Sequence, residues 1–176
     1  MGFMSHNRSG EKVDRPRLVL ERTRPEVALE LLAAAGLIYA AFCLIINYQS
    51  LPPSIPMHFN FKGEVDSWGS KESIWLLAGI TAVIYISMMF VARIPHMFNY
   101  PFKITVANAE RQYRIARTFI KLLSAEIVWL FAVLLCGTME VALNKANTMS
   151  PVFIYFFLTV VLVSTIWFFV LSYRAK

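Results

Sequence analysis

Four long apolar runs constrain this chain more than any other feature of its sequence. They cover about residues 27–49, 73–92, 122–143 and 151–173. An α-helix rises 1.5 Å per residue, so about 20 apolar residues cross the ~30 Å hydrocarbon core of a bilayer. The chain is 57% hydrophobic and 16% charged, whereas soluble domains are about 45–50% apolar and about 25% charged. The sequence therefore predicts an all-α integral membrane protein with four transmembrane helices in a bundle.

Proline and polar residues indicate where these helices begin. Pro25 falls in the first turn of the first helix, with Thr23 or Arg24 at its cap. Pro151 begins the fourth helix. No helix breaker precedes the third apolar run, so we expect one continuous helix over residues 105–143. Its first turns then project beyond the bilayer as a cytoplasmic extension.

The basic residues predict the orientation of the chain. All but three of the 17 Lys and Arg lie in the N-terminal segment, between the second and third apolar runs, or at the C-terminus. The exceptions are Lys62, Lys71 and Lys145. The positive-inside rule then places both termini in the cytoplasm. Residues 1–26 become a basic cytoplasmic segment, residues 27–176 form the membrane domain, and the loop of residues 50–72 is extracytoplasmic. A topology with an interfacial second run is the alternative.

The net charge of +6 does not indicate nucleic acid binding, because the basic residues flank apolar runs and form no separate basic module. We expect the lipid bilayer as the partner of this charge. Four basic residues share one face of the third helix and are predicted to contact lipid headgroups: Arg111, Arg114, Arg117 and Lys121.

Two cysteines and a carboxylate inside the apolar runs are candidates for a special role. Cys43 and Cys136 show no metal-binding spacing and are interpreted as two small buried side chains. Glu126 is a membrane-embedded carboxylate and therefore a functional candidate. The competing interpretation pairs Glu126 with Arg93, Arg117 or Lys121, and a transport role is a further alternative.

The loop from Pro52 to Lys71 is the longest polar interval between two apolar runs. Residues 56–61 alternate apolar and polar side chains, as a short extended segment does, and Gly63 offers a turn. We expect a small hairpin or extended flap on the outer helix ends. Phe59, Phe61 and Trp68 are predicted to lie against those ends.

The same loop resembles a known family. Its run Pro-x-x-Ile-Pro-x-His-Phe-Asn-x-x-Gly-x-x-Asp-x-Trp-Gly-x-Lys, Pro52 to Lys71 here, is similar to the signature of a domain of unknown function. This domain is found at the N-terminus of SdpI-type toxin immunity proteins and in small bacterial membrane proteins. The resemblance implies a multi-pass protein of the bacterial cytoplasmic (inner) membrane, with an immunity-like or signalling role. SdpI-type proteins carry further membrane helices after the domain.

Three interpretations of the loop compete. The first is structural: polar side chains hold one loop conformation through local hydrogen bonds. The second is binding of an extracytoplasmic peptide or protein. The residues predicted to bind or to organise the loop are His58, Asn60, Gly63, Glu64, Asp66, Trp68 and Lys71.

The third interpretation is a metal-dependent enzyme in which His58, Glu64 and Asp66 bind a cation such as zinc. The sequence contains no nucleophile-elbow, zinc-protease or phosphate-loop motif. The sequence therefore favours a non-enzymatic accessory, immunity-like or sensing protein without a cofactor. It gives no indication of the oligomeric state.

Overall fold

The computed structural model describes residues 15–176, so the earlier part of the predicted N-terminal segment lies outside the described residues. Its elements are four helices and one β-hairpin. The bounds are α1 Arg24–Asn47, β1 Ser54–Phe59, β2 Val65–Ser70, α2 Ser73–Val91, α3 Ala109–Ala142 and α4 Pro151–Arg174. Single 3₁₀ turns follow α1 at Tyr48–Ser50 and α2 at Pro95–Met97. The fold is thus mostly helical, with a hairpin that the all-α prediction did not include in its class.

Local hydrogen bonds set the helix starts. Thr23 is the N-cap of α1, and its backbone N–H donates to the Glu26 carboxylate at 2.8 Å. The third helix begins at Ala109 rather than at the predicted residue 105. The reason is a turn in which the Thr105 N–H donates to Asn108 Oδ1 at 2.8 Å, so the side chain of Asn108 competes with the first helical turn.

All four helices are long and apolar enough to span a membrane. The 34 residues of α3 extend over about 51 Å at 1.5 Å per residue, longer than a ~30 Å hydrocarbon core. Large apolar side chains remain exposed along the outward faces of the helices, such as Ile45, Val83 and Trp167. Lipid tails cover such faces without a free-energy cost, so these features define a multi-pass membrane protein.

The helices are arranged around α3, which packs against each of the other three. Small residues allow the closest of these contacts. Ala33, Gly36 and Ala40 are buried on one side of α1, and a Cβ at position 36 would lie 2.9 Å from Val128 Cγ1 of α3. Small residues at helix interfaces let two backbones approach closely in membranes. The contact between α1 and α2 is much smaller, and α4 packs mainly on α3.

We call the two ends of this assembly the hairpin end and the basic end. The hairpin end holds the β-hairpin and the connection between α3 and α4. The basic end holds residues 15–23, the connection between α2 and α3, and the C-terminus. A buried cluster joins the hairpin to the helices at the hairpin end. It includes Leu44, Ile55, Ile74, Leu135 and Met139.

A disulfide also lies near the hairpin end. Cys43 of α1 is bonded to Cys136 of α3, with Cα atoms 5.9 Å apart. Both cysteines are buried, as predicted, but the bond between them was not predicted. The two cysteines are 93 residues apart in sequence, and only the packing of α1 on α3 brings them together. The bond links the first helix directly to the central one.

Candidate functional site: the hairpin between α1 and α2

The hairpin is a two-stranded antiparallel sheet. Its register pairs Ser54 with Ser70 and Phe59 with Val65, with irregular steps on both sides of His58. These irregularities break the strict alternation of side chains that the sequence suggested, because an extra residue in one strand re-aims its neighbours.

Asn60 organises the turn. Its side-chain Oδ1 accepts the backbone N–H groups of Lys62 at 2.8 Å and Glu64 at 3.1 Å, and its Nδ2 donates to the Glu64 carboxylate at 2.8 Å. The backbone of Asn60 also bonds Gly63 and Glu64 at 2.8 and 2.9 Å. An Asn side chain that replaces backbone partners in this way fixes a turn locally.

Gly63 connects this turn to the helical part of the protein. It is buried and has φ +79°, a left-handed conformation that glycine adopts at little cost. Its carbonyl accepts the Met149 N–H at 2.9 Å, in the connection between α3 and α4. A Cβ at position 63 would overlap the Met149 carbonyl oxygen. The hairpin is therefore held at its tip by Gly63 and at its base by Ile55, which is 1% exposed.

His58 and Asp66 form a pair across the two strands. The His58 Nδ1 lies 2.6 Å from Asp66 Oδ1, and both side chains are exposed to solvent. Glu64 does not join them, because its carboxylate is bonded to Asn60. The three predicted metal ligands are thus not brought together as a set. Within residues 15–176, no three His, Cys, Asp or Glu side chains are grouped so that they could hold a metal ion.

Three large apolar side chains of the hairpin are exposed. Met57, Phe61 and Trp68 are 46%, 87% and 58% exposed. The prediction that Phe61 and Trp68 lie against the helix ends is wrong, because Ile55 and Pro56 occupy that buried side instead. The aromatic rings therefore project away from the helical core.

Lys71 lies at the base of the hairpin and does not project from its outer surface. Its Nζ is 5.2 Å from the centre of the Tyr48 ring, in a cation–π contact. The Tyr48 ring also contacts Trp75 edge to face, with centroids 5.4 Å apart. The lysine therefore joins the end of α1 to the start of α2.

The basic end differs from the predicted stripe of headgroup contacts. Arg117 is 8% exposed, and its guanidinium donates to both oxygens of the fully buried Glu26 at 2.6 and 2.8 Å. Lys121 lies 2.7 Å from Glu30, and Arg114 pairs with Glu110 at 2.9 Å. Helical spacing alone assigns Arg117 and Lys121 to a solvated face, but the buried Glu26 and the partly buried Glu30 hold them inside the protein. The pair of Arg114 and Glu110 lies on the surface. Of the four predicted residues, Arg111 is the one on the exposed surface without such an ion pair among the described residues.

The same region ties the extended segment before α1 to the helices. Arg117 also donates to the carbonyls of Leu20 and Glu21 at 2.9 and 2.5 Å.

The connection between α2 and α3 contains a partly buried tyrosine. The Tyr100 hydroxyl donates to the Pro95 carbonyl at 2.9 Å, and burial raises the pKa of this tyrosine. It therefore remains a neutral donor. Sequence reasoning missed Glu26 as a structural residue, although the Thr23-x-x-Glu26 spacing is that of a capping box.

Glu126 is 8% exposed and accepts a hydrogen bond from the Ser164 hydroxyl of α4 at 3.2 Å. The ion pair considered for it with Arg93, Arg117 or Lys121 is absent among the described residues. Arg117 pairs with Glu26 and Lys121 pairs with Glu30 instead. Glu126 instead joins the central helix to α4.

The four apolar helices and the hairpin together indicate the class of protein: a multi-pass membrane protein with a structured insertion between its first two helices. Residues 34–82 match the family model described as "Domain of unknown function (DUF1648)". This segment runs from within α1, through the hairpin, to within α2. The match includes the loop whose signature predicted it. Comparison with curated proteins and with solved structures gives no significant match.

Proposed function

We propose that this chain is a non-enzymatic membrane protein whose hairpin binds an extracytoplasmic peptide or protein, in an accessory, sensing or immunity-like role. The observation that carries the proposal is the exposure of Met57, Phe61 and Trp68 on a hairpin in which Asn60, Glu64, His58 and Asp66 are already bonded to one another. Aromatic residues and Met are enriched at the centres of protein interfaces. Complete burial of a fully exposed Phe side chain contributes about 1.5–3 kcal/mol, and Phe61, at 87% exposed, comes nearest to that case.

The anchoring of the hairpin supports the same proposal. Its tip is bonded to Met149, its base is buried through Ile55, and the disulfide joins the two helices beneath it. A surface held in one conformation loses little conformational entropy when a partner binds. A hairpin of this size on its own would be marginally stable in water.

We further propose that the hairpin is extracytoplasmic and that both termini are cytoplasmic, in a bacterial inner membrane. Two independent observations support this orientation. The Lys and Arg residues are concentrated at the basic end. The Cys43–Cys136 disulfide lies near the hairpin end, and disulfides form and persist in oxidising compartments outside the cytoplasm.

The orientation is tested by labelling introduced thiols in intact cells with a membrane-impermeant maleimide. The variant Lys62→Cys, in the hairpin turn, is expected to react. The variant Val106→Cys is the matched control, because Val106 is 86% exposed at the basic end. It is expected to react only after the cells are permeabilised. Labelling of the second variant alone in intact cells would refute the orientation.

Binding is tested by placing a photoreactive amino acid at position 61 or 68 in living cells, with position 106 as the control. We expect polypeptide adducts of discrete mass from the hairpin positions and none of the same mass from position 106. Adducts with lipid alone would mean that Phe61 and Trp68 anchor the hairpin in the membrane interface. That result, or no adduct, would overturn the binding proposal.

The immunity-like role has its own test. Sensitive cells that express the chain are challenged with a secreted peptide toxin, and survival is compared with that of cells expressing the Phe61→Ala, Trp68→Ala double variant. Protection that disappears in the variant, at equal protein level in the membrane, supports the role. Equal survival of both strains and of cells without the protein argues against immunity but leaves the adducts as evidence of another partner.

The metal-dependent enzyme is the alternative. The His58–Asp66 pair is the observation that bears on it, because a carboxylate that orients a histidine ring is a common feature of metal sites and general bases. The described part of the chain supplies only these two neighbouring ligands, whereas catalytic zinc usually has three from the protein. The binding proposal therefore has the stronger structural support.

A further inference from the structure

A cavity of about 340 Å³ opens at the basic end, far from the hairpin. It lies between α1, α2, α3 and the extended segment of residues 18–22. This volume is in the range of small-molecule sites. Its apolar wall includes Leu29, Ala33, Tyr85, Met88 and Met89. Methionine side chains adapt well to flexible apolar ligands.

The charged part of the wall has a cationic excess. It contains four cationic side chains and a single carboxylate: Arg22, Arg93, Arg117, Lys121 and Glu30. Arg117 is neutralised by Glu26 at 2.6 Å, outside the lining. Glu30 is shared between Lys121 at 2.7 Å and Arg22 at 3.5 Å, so it compensates only one of them.

Arg93 adds a second uncompensated charge. No carboxylate of residues 15–176 forms an ion pair with it, and its guanidinium lies 5.5 Å from the centre of the Phe90 ring. The side chain is exposed at the end of α2. Two uncompensated positive charges beside one apolar wall match a ligand that joins an anionic group to an apolar part.

A buried hydroxyl points to the same conclusion. Ser124 lines the cavity three residues beyond Lys121, on the same face of α3. It is 5% exposed, and its Oγ has no hydrogen-bond partner among the described residues. A buried polar group without a partner costs about 1–3 kcal/mol. An oxygen of a bound ligand would supply the missing partner.

We propose that this cavity binds a phosphate-bearing anionic amphiphile. The phosphate lies between Arg93 and the pair of Lys121 and Arg22, which share Glu30 and together keep one uncompensated positive charge. It accepts a hydrogen bond from Ser124, and the apolar part lies along Met88 and Met89. Guanidinium and ammonium groups form strong charge-assisted hydrogen bonds with phosphate. The apolar wall distinguishes an amphiphile from a free inorganic anion. This site does not depend on the function proposed for the hairpin.

The test uses the purified full chain in a neutral detergent, and binding is measured by native mass spectrometry and by the shift in melting temperature. The added compounds are phosphatidylglycerol, phosphatidylcholine and inorganic phosphate. We expect phosphatidylglycerol to bind at least tenfold more tightly than phosphatidylcholine, which corresponds to about 1.4 kcal/mol. Inorganic phosphate should produce no comparable shift. Equal effects of free phosphate and phosphatidylglycerol would overturn the assignment of an amphiphile.

Variants localise the binding. Arg93→Gln and Ser124→Ala are each expected to weaken phosphatidylglycerol binding several-fold, and the double variant about tenfold or more. Arg111→Gln is the matched control, since it removes the same charge from the exposed surface at the same end without touching the cavity. An equal loss in the control would mean general electrostatic attraction and would refute a defined site. Circular dichroism of each variant confirms that it is folded. Met89→Trp fills the cavity and should weaken phosphatidylglycerol binding without changing any charge.

Discussion

The buried pair of Glu26 and Arg117 is the ion pair of the basic end whose one-sided disruption should cost the most stability, because it is the most buried of them. Glu26 is fully buried and Arg117 is 8% exposed. Two hydrogen bonds of 2.6 and 2.8 Å join the two side chains. Two further bonds from Arg117 hold the carbonyls of Leu20 and Glu21. The pair therefore joins α1, α3 and the extended segment at one point.

Replacement of Arg117 by Met removes these four hydrogen bonds and leaves the Glu26 carboxylate without its cation. Breaking one side of a buried ion pair typically destabilises a protein by about 3–5 kcal/mol. The Thr23 N–H, at 2.8 Å from Glu26, still satisfies one oxygen and keeps the expected loss near the lower end of that range. We expect a lower free energy of unfolding in detergent, together with faster proteolysis of residues 15–23.

The double variant Glu26→Gln, Arg117→Met should recover part of this loss, because no charge then remains buried. Arg111→Met is the matched control and should change the free energy of unfolding by less than about 0.5 kcal/mol, as is usual for exposed positions. If Arg117→Met were as stable as this control, or if the double variant were no better than the single one, the argument from a buried ion pair would be refuted.

Three other predictions concern the hairpin end. Gly63→Ala should lower the free energy of unfolding by more than about 1–2 kcal/mol, the penalty of a left-handed residue with a Cβ, because that Cβ also overlaps Met149. A lower melting temperature and the loss of the position-61 adducts are the expected results, and unchanged values would contradict the packing. Cys43→Ser should lower the free energy of unfolding by about 2–4 kcal/mol. The Cys136 thiol of this variant should be labelled after denaturation without reductant, whereas labelling of the unaltered chain under the same conditions would argue against the disulfide. Purified protein should contain substoichiometric zinc that His58→Ala does not change, and stoichiometric zinc lost in that variant would favour the enzyme alternative.

The hairpin could be predicted from the sequence only in those features that depend on neighbouring residues. The alternation of residues 56–61 predicted an extended segment and Gly63 predicted a turn, because both features depend on neighbours only a few residues away. The side of the hairpin that is buried could not be predicted, because irregular pairing beside His58 changes which residues face the helices. Phe61 was placed wrongly because it lies in the turn beyond β1 rather than in a strand.

The sequence by itself determined the four membrane helices and the loop signature of the domain. Apolar runs of this length have one stable form in a bilayer, since a helix satisfies its own backbone hydrogen bonds. The tertiary structure decided the partners of the polar side chains: Cys43 with Cys136, Glu26 with Arg117, and Glu126 with Ser164. Each pair joins residues on different helices, and helical periodicity shows which face a residue occupies but not which helix packs against that face.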